Sequence, residues 1–250
     1  HIDVVAGIRS ALQNMNLLLL PVGDITEDES LTRKALQAPV DGMIYLGSLP
    51  PAALRKMVDA GPPSIVLDFN LARYKGDCIL VDNRGGAMQA VEHLVSLGHR
   101  DIAIISGPSD QAAPVERMEG AWQAISEAGI AKSHVHVGEG EFTLESGFRA
   151  MQSLLRSKAF FTAVFCLNDE MAAGALQAVH AHGGLRVPED ISVIGFDAVF
   201  LSAALSPRLT SVHVDRHYMG RLAAERLVQR LADPSISGTH ILLATKLIVR

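Results

Sequence analysis

Short apolar runs alternate with longer amphipathic stretches along almost the whole chain. Apolar runs of this length, closed by polar or turn residues, are typical of strands buried on both faces of a sheet. Between them, apolar residues recur at helical spacing, for example at Met118, Trp122 and Ile125. The alternation predicts an α/β fold in which crossover helices connect parallel strands. The predicted strands lie in LLLLPV (17–22), GMIYLG (42–47), SIVLD (64–68), CILVD (78–82), DIAIISG (101–107), HVHVG (134–138), AVFCLND (163–169) and ISVIGFD (191–197).

The length of the chain predicts more than one compact core. The sequence has 250 residues, of which 48% are hydrophobic, and single cores stop growing near about 250 to 300 residues. We therefore expect two lobes, each a doubly wound parallel sheet. No stretch approaches the roughly 18 apolar residues of a membrane span, and residues 1–13 have a helical pattern rather than that of a signal peptide.

The net charge limits the partners that this chain can bind, and the positions of its cysteines bear on its compartment. The 22 basic and 27 acidic residues give a net charge of −5, whereas binding to nucleic-acid phosphates requires a clustered excess of Lys and Arg. Contact with DNA therefore requires another segment of the protein. Cys78 and Cys166 lie inside apolar runs, which predicts core positions and is compatible with the reducing cytoplasm.

Polar residues close several of the predicted strands. In an open parallel sheet, ligands bind outside the carboxyl ends of the strands. Asp and Asn at such junctions also serve as helix caps, and for any one residue the two interpretations carry about equal weight. Their convergence on several strands favours a binding site. The residues concerned are Asp68, Asp82, Asn83, Asn168, Asp169 and Asp197.

Signatures of catalysis and metal binding are mostly absent from the sequence. It contains no G-x-S-x-G, P-loop or H-E-x-x-H motif and no cysteine pair at metal spacing. GEGEF (138–142) lacks the third glycine of a dinucleotide site. Two histidine pairs, at 134 and 136 and at 213 and 217, could chelate a metal, but a third ligand at suitable spacing is missing. We expect no catalytic residues, metal or cofactor.

Six blocks of sequence follow one another along the chain: VDNRGGAMQAVEHLVSLGHRDIAIISGP, ERMEGAWQAISEAGI, ESGFRAMQSLL, TAVFCLNDEMAAGALQA, RVPEDISVIGFDA and PRLTSVHVDRHYMG. Together they resemble the lactose-repressor family of bacterial transcription regulators, and the resemblance covers the chain from end to end. It implies a type I periplasmic-binding-protein-like fold, with two lobes joined by three crossings. The implied first lobe comprises residues 1–81 plus about 212–235, and the second 83–211 plus about 240–250.

The resemblance also implies a ligand site. Arg117, in ERMEG, matches an arginine whose planar fork suits hydroxyls or a carboxylate. Asp197 matches an acceptor and Asn168 a polar contact, while Phe142 matches a ring that packs on a sugar or base, with core packing as its alternative. Asp169 and Gln111 complete the candidate set. Gln111 opens a Gln-Ala-Ala segment where nucleobase-binding relatives offer Arg and Thr, which argues against a purine.

These features lead to one functional hypothesis and one rival. The first is the effector-binding and dimerisation core of a cytoplasmic transcription regulator, which senses a sugar or, as the alternative, a nucleoside. The effector would contact both lobes and shift their arrangement, and operator DNA would be bound by a helix-turn-helix headpiece absent from this chain. We expect the polypeptide to extend upstream of His1 and to form a homodimer. The rival is a periplasmic sugar-binding protein of a transport system.

Overall fold

A computed structural model describes residues 2–12, 15–20, 33, 36–47, 51–69, 74–157 and 159–250. The chain divides into two compact units, His1–Val81 with Asp215–Leu243, and Asp82–Val214 with Ala244–Arg250. In chain order, the helices and strands are α1 (Ile2–Ala11), β1 (Met43–Leu46), α2 (Pro51–Ala60), β2 (Ser64–Leu67), β3 (Asp77–Val81), α3 (Asn83–Ser96), β4 (Ile102–Ile105), α4 (Ala112–Glu127), β5 (Val135–Gly138), α5 (Leu144–Arg156), β6 (Ala163–Cys166), α6 (Asp169–His182), β7 (Ser192–Asp197), α7 (Phe200–Ala204), β8 (Thr210–His213), α8 (Arg216–Ala232), β9 (His240–Leu243) and β10 (Lys246–Ile248).

The boundaries of the two units differ in detail from the predicted lobes. Residues 212–214 belong to the second unit, because β8 pairs with β7 as far as His213. Residues 240–243 belong to the first unit, because β9 pairs with β3. Only the end of the chain, from Ala244, returns to the second unit. Strand pairing, which the sequence pattern does not specify, decides both differences.

The first unit contains a four-stranded sheet in the order β1-β2-β3-β9, with all neighbours parallel. Helices α1 and α8 pack against each other through reciprocal glycines. A Cβ on Gly7 would lie 2.0 Å from the His217 carbonyl oxygen, and one on Gly220 would lie 2.0 Å from the Val4 carbonyl oxygen. The absence of side chains at these two positions therefore allows the backbones to approach closely.

The prediction of a strand at LLLLPV (17–22) is wrong for its described part. Leu17–Leu20 are not in a strand and are 38–58% exposed, while residues 21 and 22 lie outside the described residues. Among the described strands, β1 forms the edge of the sheet beside β2. An apolar run becomes a strand only where its backbone N–H and C=O groups find partners, and the leucines lack such pairing in the part described.

The second unit contains a six-stranded sheet in the order β10-β8-β7-β6-β4-β5. All neighbours are parallel except β10, which runs antiparallel to β8. The other seven predicted runs each contain a strand, and β4 and β6 are buried throughout. Cys78 and Cys166 are buried and free, as predicted for core residues.

The order of the second sheet fixes where a ligand can bind. When the parallel strands of this unit, β4 to β8, are numbered 1 to 5 in chain order, their spatial order β5-β4-β6-β7-β8 becomes 2-1-3-4-5. This is an order found in doubly wound sheets. The strand order reverses at the boundary between β4 and β6. The carboxyl ends of these two strands therefore form the topological switch point, where such sheets bind ligands.

Candidate functional site

The loops after four neighbouring strands carry candidate side chains to one edge of the second sheet. Gln111 follows β4, Phe142 follows β5, Asn168 follows β6, and Asp197 ends β7. All four strands are parallel, so their carboxyl ends meet at the same edge. The structure therefore places these residues at one edge of the sheet, which includes the switch point between β4 and β6.

Arg117 projects from α4 into this edge and is only 4% exposed. Its Nε donates to Asn83 Oδ1 (2.8 Å), Nη1 to the Leu167 carbonyl (2.6 Å), and Nη2 to Asp197 Oδ1 (3.2 Å). The guanidinium carbon lies 3.7 Å from the centroid of the buried Phe196 ring. These contacts fix the orientation of the guanidinium and use three of its five N–H donors.

Asn83 and Glu116 extend the polar network of Arg117. Asn83 is 3% exposed, and its Nδ2 donates to Glu116 Oε2 at 2.9 Å. Asp82 rather than Asn83 caps α3, because an oxygen of the Asp82 side chain accepts from the Gly85 N–H at 2.8 Å. Asn83 thus orients the arginine. Its place at a strand end was a signal for this role, but its arginine partner was not predictable from local sequence.

Asp197 occupies an unusual backbone conformation at the end of β7. Its φ is 105°, and that of the following Ala198 is 47°, so two consecutive non-glycine residues have positive φ, which is uncommon. The Asp197 side chain is 16% exposed and pairs with Arg117. A conformation of this kind persists only where the surrounding structure enforces it.

Asn168 and Phe142 are held to each other. Asn168 caps α6 by accepting from the Met171 N–H at 2.8 Å, and its Nδ2 donates to the Phe142 carbonyl at 3.0 Å. The Phe142 ring lies over Gly107, where an added Cβ would be 2.7 Å from it, and its centroid is 6.0 Å from the Arg117 guanidinium carbon. The helix-cap interpretation of Asn168 is therefore correct, and the same side chain positions the aromatic residue.

Asp169 is buried behind this edge, with 1% exposure. Its Oδ1 accepts from the Ser211 hydroxyl at 2.5 Å and its Oδ2 from the Val199 N–H at 2.8 Å. Burial, together with the negative charge of Asp197, raises the pKa of the Asp169 carboxyl to about 7. The structure therefore places Asp169 behind the other candidates rather than among them, because both of its oxygens accept hydrogen bonds from within the protein.

Gln111 precedes α4 in an extended conformation (φ −108°, ψ 145°), and its side chain makes no capping hydrogen bond. Its N–H donates to the Pro108 carbonyl at 3.5 Å. The residue is half-buried and lies at the edge that carries Asp197, about one and a half turns of helix before Arg117.

The assembled groups can bind a ligand through paired donors and acceptors beside an aromatic ring. Arg117 is a hydrogen-bond donor whose orientation is fixed. Asp197 is an acceptor, and its negative charge balances the positive charge of Arg117. In the described part of the chain, no group of three His, Cys, Asp or Glu side chains is arranged to hold a metal ion. None of the helices in the described ranges is both long and apolar enough to span a bilayer.

This fold and site geometry correspond to a known class of protein. Residues 91–250 match the family described as "Periplasmic binding protein-like domain", so the chain belongs to that class. It also matches a "Probable HTH-type transcriptional repressor ExuR" of Bacillus subtilis, with 33% identity over 99% of this chain and 74% of the relative. A PurR repressor of Vibrio atlanticus is 34% identical over 92% of this chain and 70% of the relative.

Solved structures agree with these relatives. A "transcriptional regulator CelR-cellobiose complex" superposes with a TM-score of 0.89 and 34% identity, covering 100% of this chain and 77% of that one. A LacI family regulator from Enterococcus faecium "with bound ribose" gives a TM-score of 0.86 and 28% identity, covering 100% and 92%. The chain belongs to the LacI family of transcriptional regulators and comprises an effector-binding core. The rival interpretation, a transport-system sugar-binding protein, is set aside.

Proposed function

We propose that the effector site of this regulator core includes Arg117, Asp197, Asn83 and Phe142, and that the effector is a sugar or similarly polyhydroxylated metabolite. The observation that carries the proposal is the buried Arg117, held 3.2 Å from Asp197 at the switch point of the second sheet. Two other residues of the predicted ligand set lie beside these four: Asn168 supports Phe142, and Gln111 lies at the same edge of the sheet. Asp169 is reassigned to the interior.

The charge balance of the site favours a neutral ligand. Arg117 is paired with Asp197, so the pair has no net charge, and an incoming phosphate would meet the carboxylate at short range. Vicinal hydroxyls, in contrast, both donate and accept. They can donate to a carboxylate, which accepts at up to four lone-pair positions, and accept from the two Arg117 N–H groups that the described contacts do not use.

The Phe142 ring supports the same class of ligand. A sugar has an apolar C–H face that packs on an aromatic ring, and the ring lies within 6.0 Å of the arginine that would hold the hydroxyls. The cellobiose and ribose complexes of similar regulators agree with this assignment. A nucleoside is the second candidate, because the same ring could stack on a base.

We infer a non-catalytic, cytoplasmic regulator that acts as a homodimer. Effector binding would shift the population of two conformations of the core, and thereby the affinity of a helix-turn-helix segment for operator DNA, with a coupling of about 1 to 3 kcal/mol. The repressor names of the relatives support the DNA partner, and the two-fold symmetry usual for operator-binding proteins supports the dimer.

A thermal-shift panel tests the proposed effector class. The panel comprises neutral mono- and disaccharides, including ribose and cellobiose, the corresponding sugar phosphates, and nucleosides. A ligand at 100 times its Kd stabilises the folded state by about 2.7 kcal/mol, which raises the Tm measurably. We expect a rise with a neutral sugar and none with its phosphate. Stabilisation by the phosphate alone would contradict the proposal.

A further inference from the structure

We propose that Asp169 and Ser211 form a clamp that holds the turn at Asp197 and Ala198, and thereby sets the direction of the Asp197 side chain at the ligand site. The inference rests on the proposed function only for its effect on ligand affinity. The clamp is the set of hydrogen bonds joining Asp169, Ser211 and the backbone N–H groups of Ala198 and Val199. In this role Asp169 is a positioning residue.

The hydrogen bonds of the clamp form a closed ring. The Ser211 hydroxyl donates to Asp169 Oδ1 at 2.5 Å, and its oxygen accepts from the Ala198 N–H at 3.0 Å. Asp169 Oδ2 accepts from the Val199 N–H at 2.8 Å. Two consecutive amides after Asp197 are therefore bound by one buried carboxylate and one buried hydroxyl.

The turn needs such a restraint. Asp197 and Ala198 have φ values of 105° and 47°, and residues with a Cβ avoid this region because of steric clashes. Strained conformations of this kind are retained when neighbouring groups enforce them, and they cluster at functional sites. Here the strained residue carries the carboxylate that pairs with Arg117.

The packing around Asp169 is built to accept its carboxylate. A Cβ on Gly195 of β7 would lie 2.3 Å from Asp169 Oδ1, so the glycine leaves room for the carboxylate against the strand. Capping of α6 does not explain the residue, because Asn168 supplies the cap. The charged and titratable groups that act on Asp169 are Asp197, Arg250 and Cys166.

Amide hydrogen exchange of the ligand-free protein tests the clamp. Ser211→Ala removes both hydrogen bonds of the serine while changing little volume, so exchange at Ala198 and Val199 is expected to accelerate about tenfold or more. The control is Ser192→Ala, which removes a serine contact with His99 at the opposite end of β7. Unchanged exchange at both amides in Ser211→Ala would overturn the proposal.

A rescue variant separates positioning from general loss of packing. Ala198→Gly in the Ser211→Ala background removes the steric cost of positive φ, so part of the exchange protection is expected to return. Calorimetry with ribose and with cellobiose then measures the effect on affinity. We expect Kd to rise about tenfold in Ser211→Ala, to recover partly in the double variant, and to stay unchanged in Ser192→Ala.

The proposed effector and the proposed clamp can be contradicted independently of each other. A wild-type protein that is stabilised by no neutral sugar of the thermal-shift panel would count against the proposed effector, while amide exchange would still decide on the clamp. Equal weakening of sugar binding by Ser211→Ala and Ser192→Ala, or no recovery with Ala198→Gly, would overturn the clamp even if the sugar binds.

Discussion

The buried carboxyl of Asp169 makes the stability of the second unit depend on pH in a defined direction. Its pKa is raised from 3.8 to about 7, chiefly by burial, so the folded state binds this proton more tightly than the unfolded state. The resulting stabilisation is fully present below about pH 4 and is lost as the pH rises through 7. Paired carboxylates with lowered pKa values behave in the opposite way.

The size of this stabilisation follows from the difference between the two pKa values of Asp169, 3.8 and about 7. At about 1.4 kcal/mol per pKa unit, the full contribution is about 4 kcal/mol, most of which is lost between pH 5 and pH 8. Asp169→Asn keeps the size of the side chain but cannot ionise. The stability of the variant should therefore rise by about 3 kcal/mol relative to that of wild type as the pH increases from 5 to 8.

Urea unfolding at pH 5 and pH 8 measures this difference. The single tryptophan of the sequence, Trp122, lies on α4 in the same unit as Asp169, so its fluorescence reports the unfolding of that unit. Asp190→Asn is the control, because the hydrogen bond with Arg186 lowers the pKa of Asp190, so this carboxyl is ionised in both states above about pH 5 and its variant should show no change relative to wild type between pH 5 and pH 8. A stability difference between wild type and Asp169→Asn that does not change with pH would contradict a raised pKa of Asp169 in the folded protein.

Three further outcomes are expected. Gly220→Ala should destabilise the first unit by about 1 to 3 kcal/mol, because the new Cβ would lie 2.0 Å from the Val4 carbonyl oxygen. Urea unfolding followed by circular dichroism measures this loss. Wild-type stability of the variant would contradict the packing of α1 against α8. Asp77→Ala should cost about 3 to 5 kcal/mol, since Asp77 is 1% exposed and pairs with two arginines. The control, Asp59→Ala, breaks an exposed pair and should cost less than about 1 kcal/mol. Sedimentation at micromolar concentration should give twice the 26.7 kDa of one chain; a species of 26.7 kDa alone would count against the homodimer.

Much of the fold could be predicted because apolar runs and helical spacing are local properties. The runs that became β4 and β6 are buried on both faces, and their continuous apolar pattern reflects that environment directly. Strand β9 also contains an apolar run, at 241–243, but the run does not specify that this strand pairs with β3 in the first unit. Leu17–Leu20 had the pattern of a strand, but strand formation also depends on a pairing partner.

From the sequence, the position of the site could be predicted only to the extent that it depends on where the strands end. The edge carrying Asn168 and Asp197 follows from parallel strands that end together. Which oxygens face a ligand depends on packing between elements distant in the sequence. Asp169 adjoins Asn168 in the chain, yet it points toward Ser211 on β8. The stacking of Arg117 on Phe196 likewise joins α4 to β7, and no local pattern indicates it.

The most direct test of the proposed effector site is isothermal titration calorimetry with the neutral sugar that gives the largest thermal shift. Asp197→Asn keeps the shape of the side chain but removes its charge, and Arg117→Lys removes the planar fork. Each should weaken binding by about 1.5 to 3 kcal/mol, or roughly 10- to 150-fold. Arg149→Lys, at an exposed position on α5, should leave the affinity unchanged. Wild-type affinity in both site variants would show that the sugar binds elsewhere and would contradict the proposed effector site.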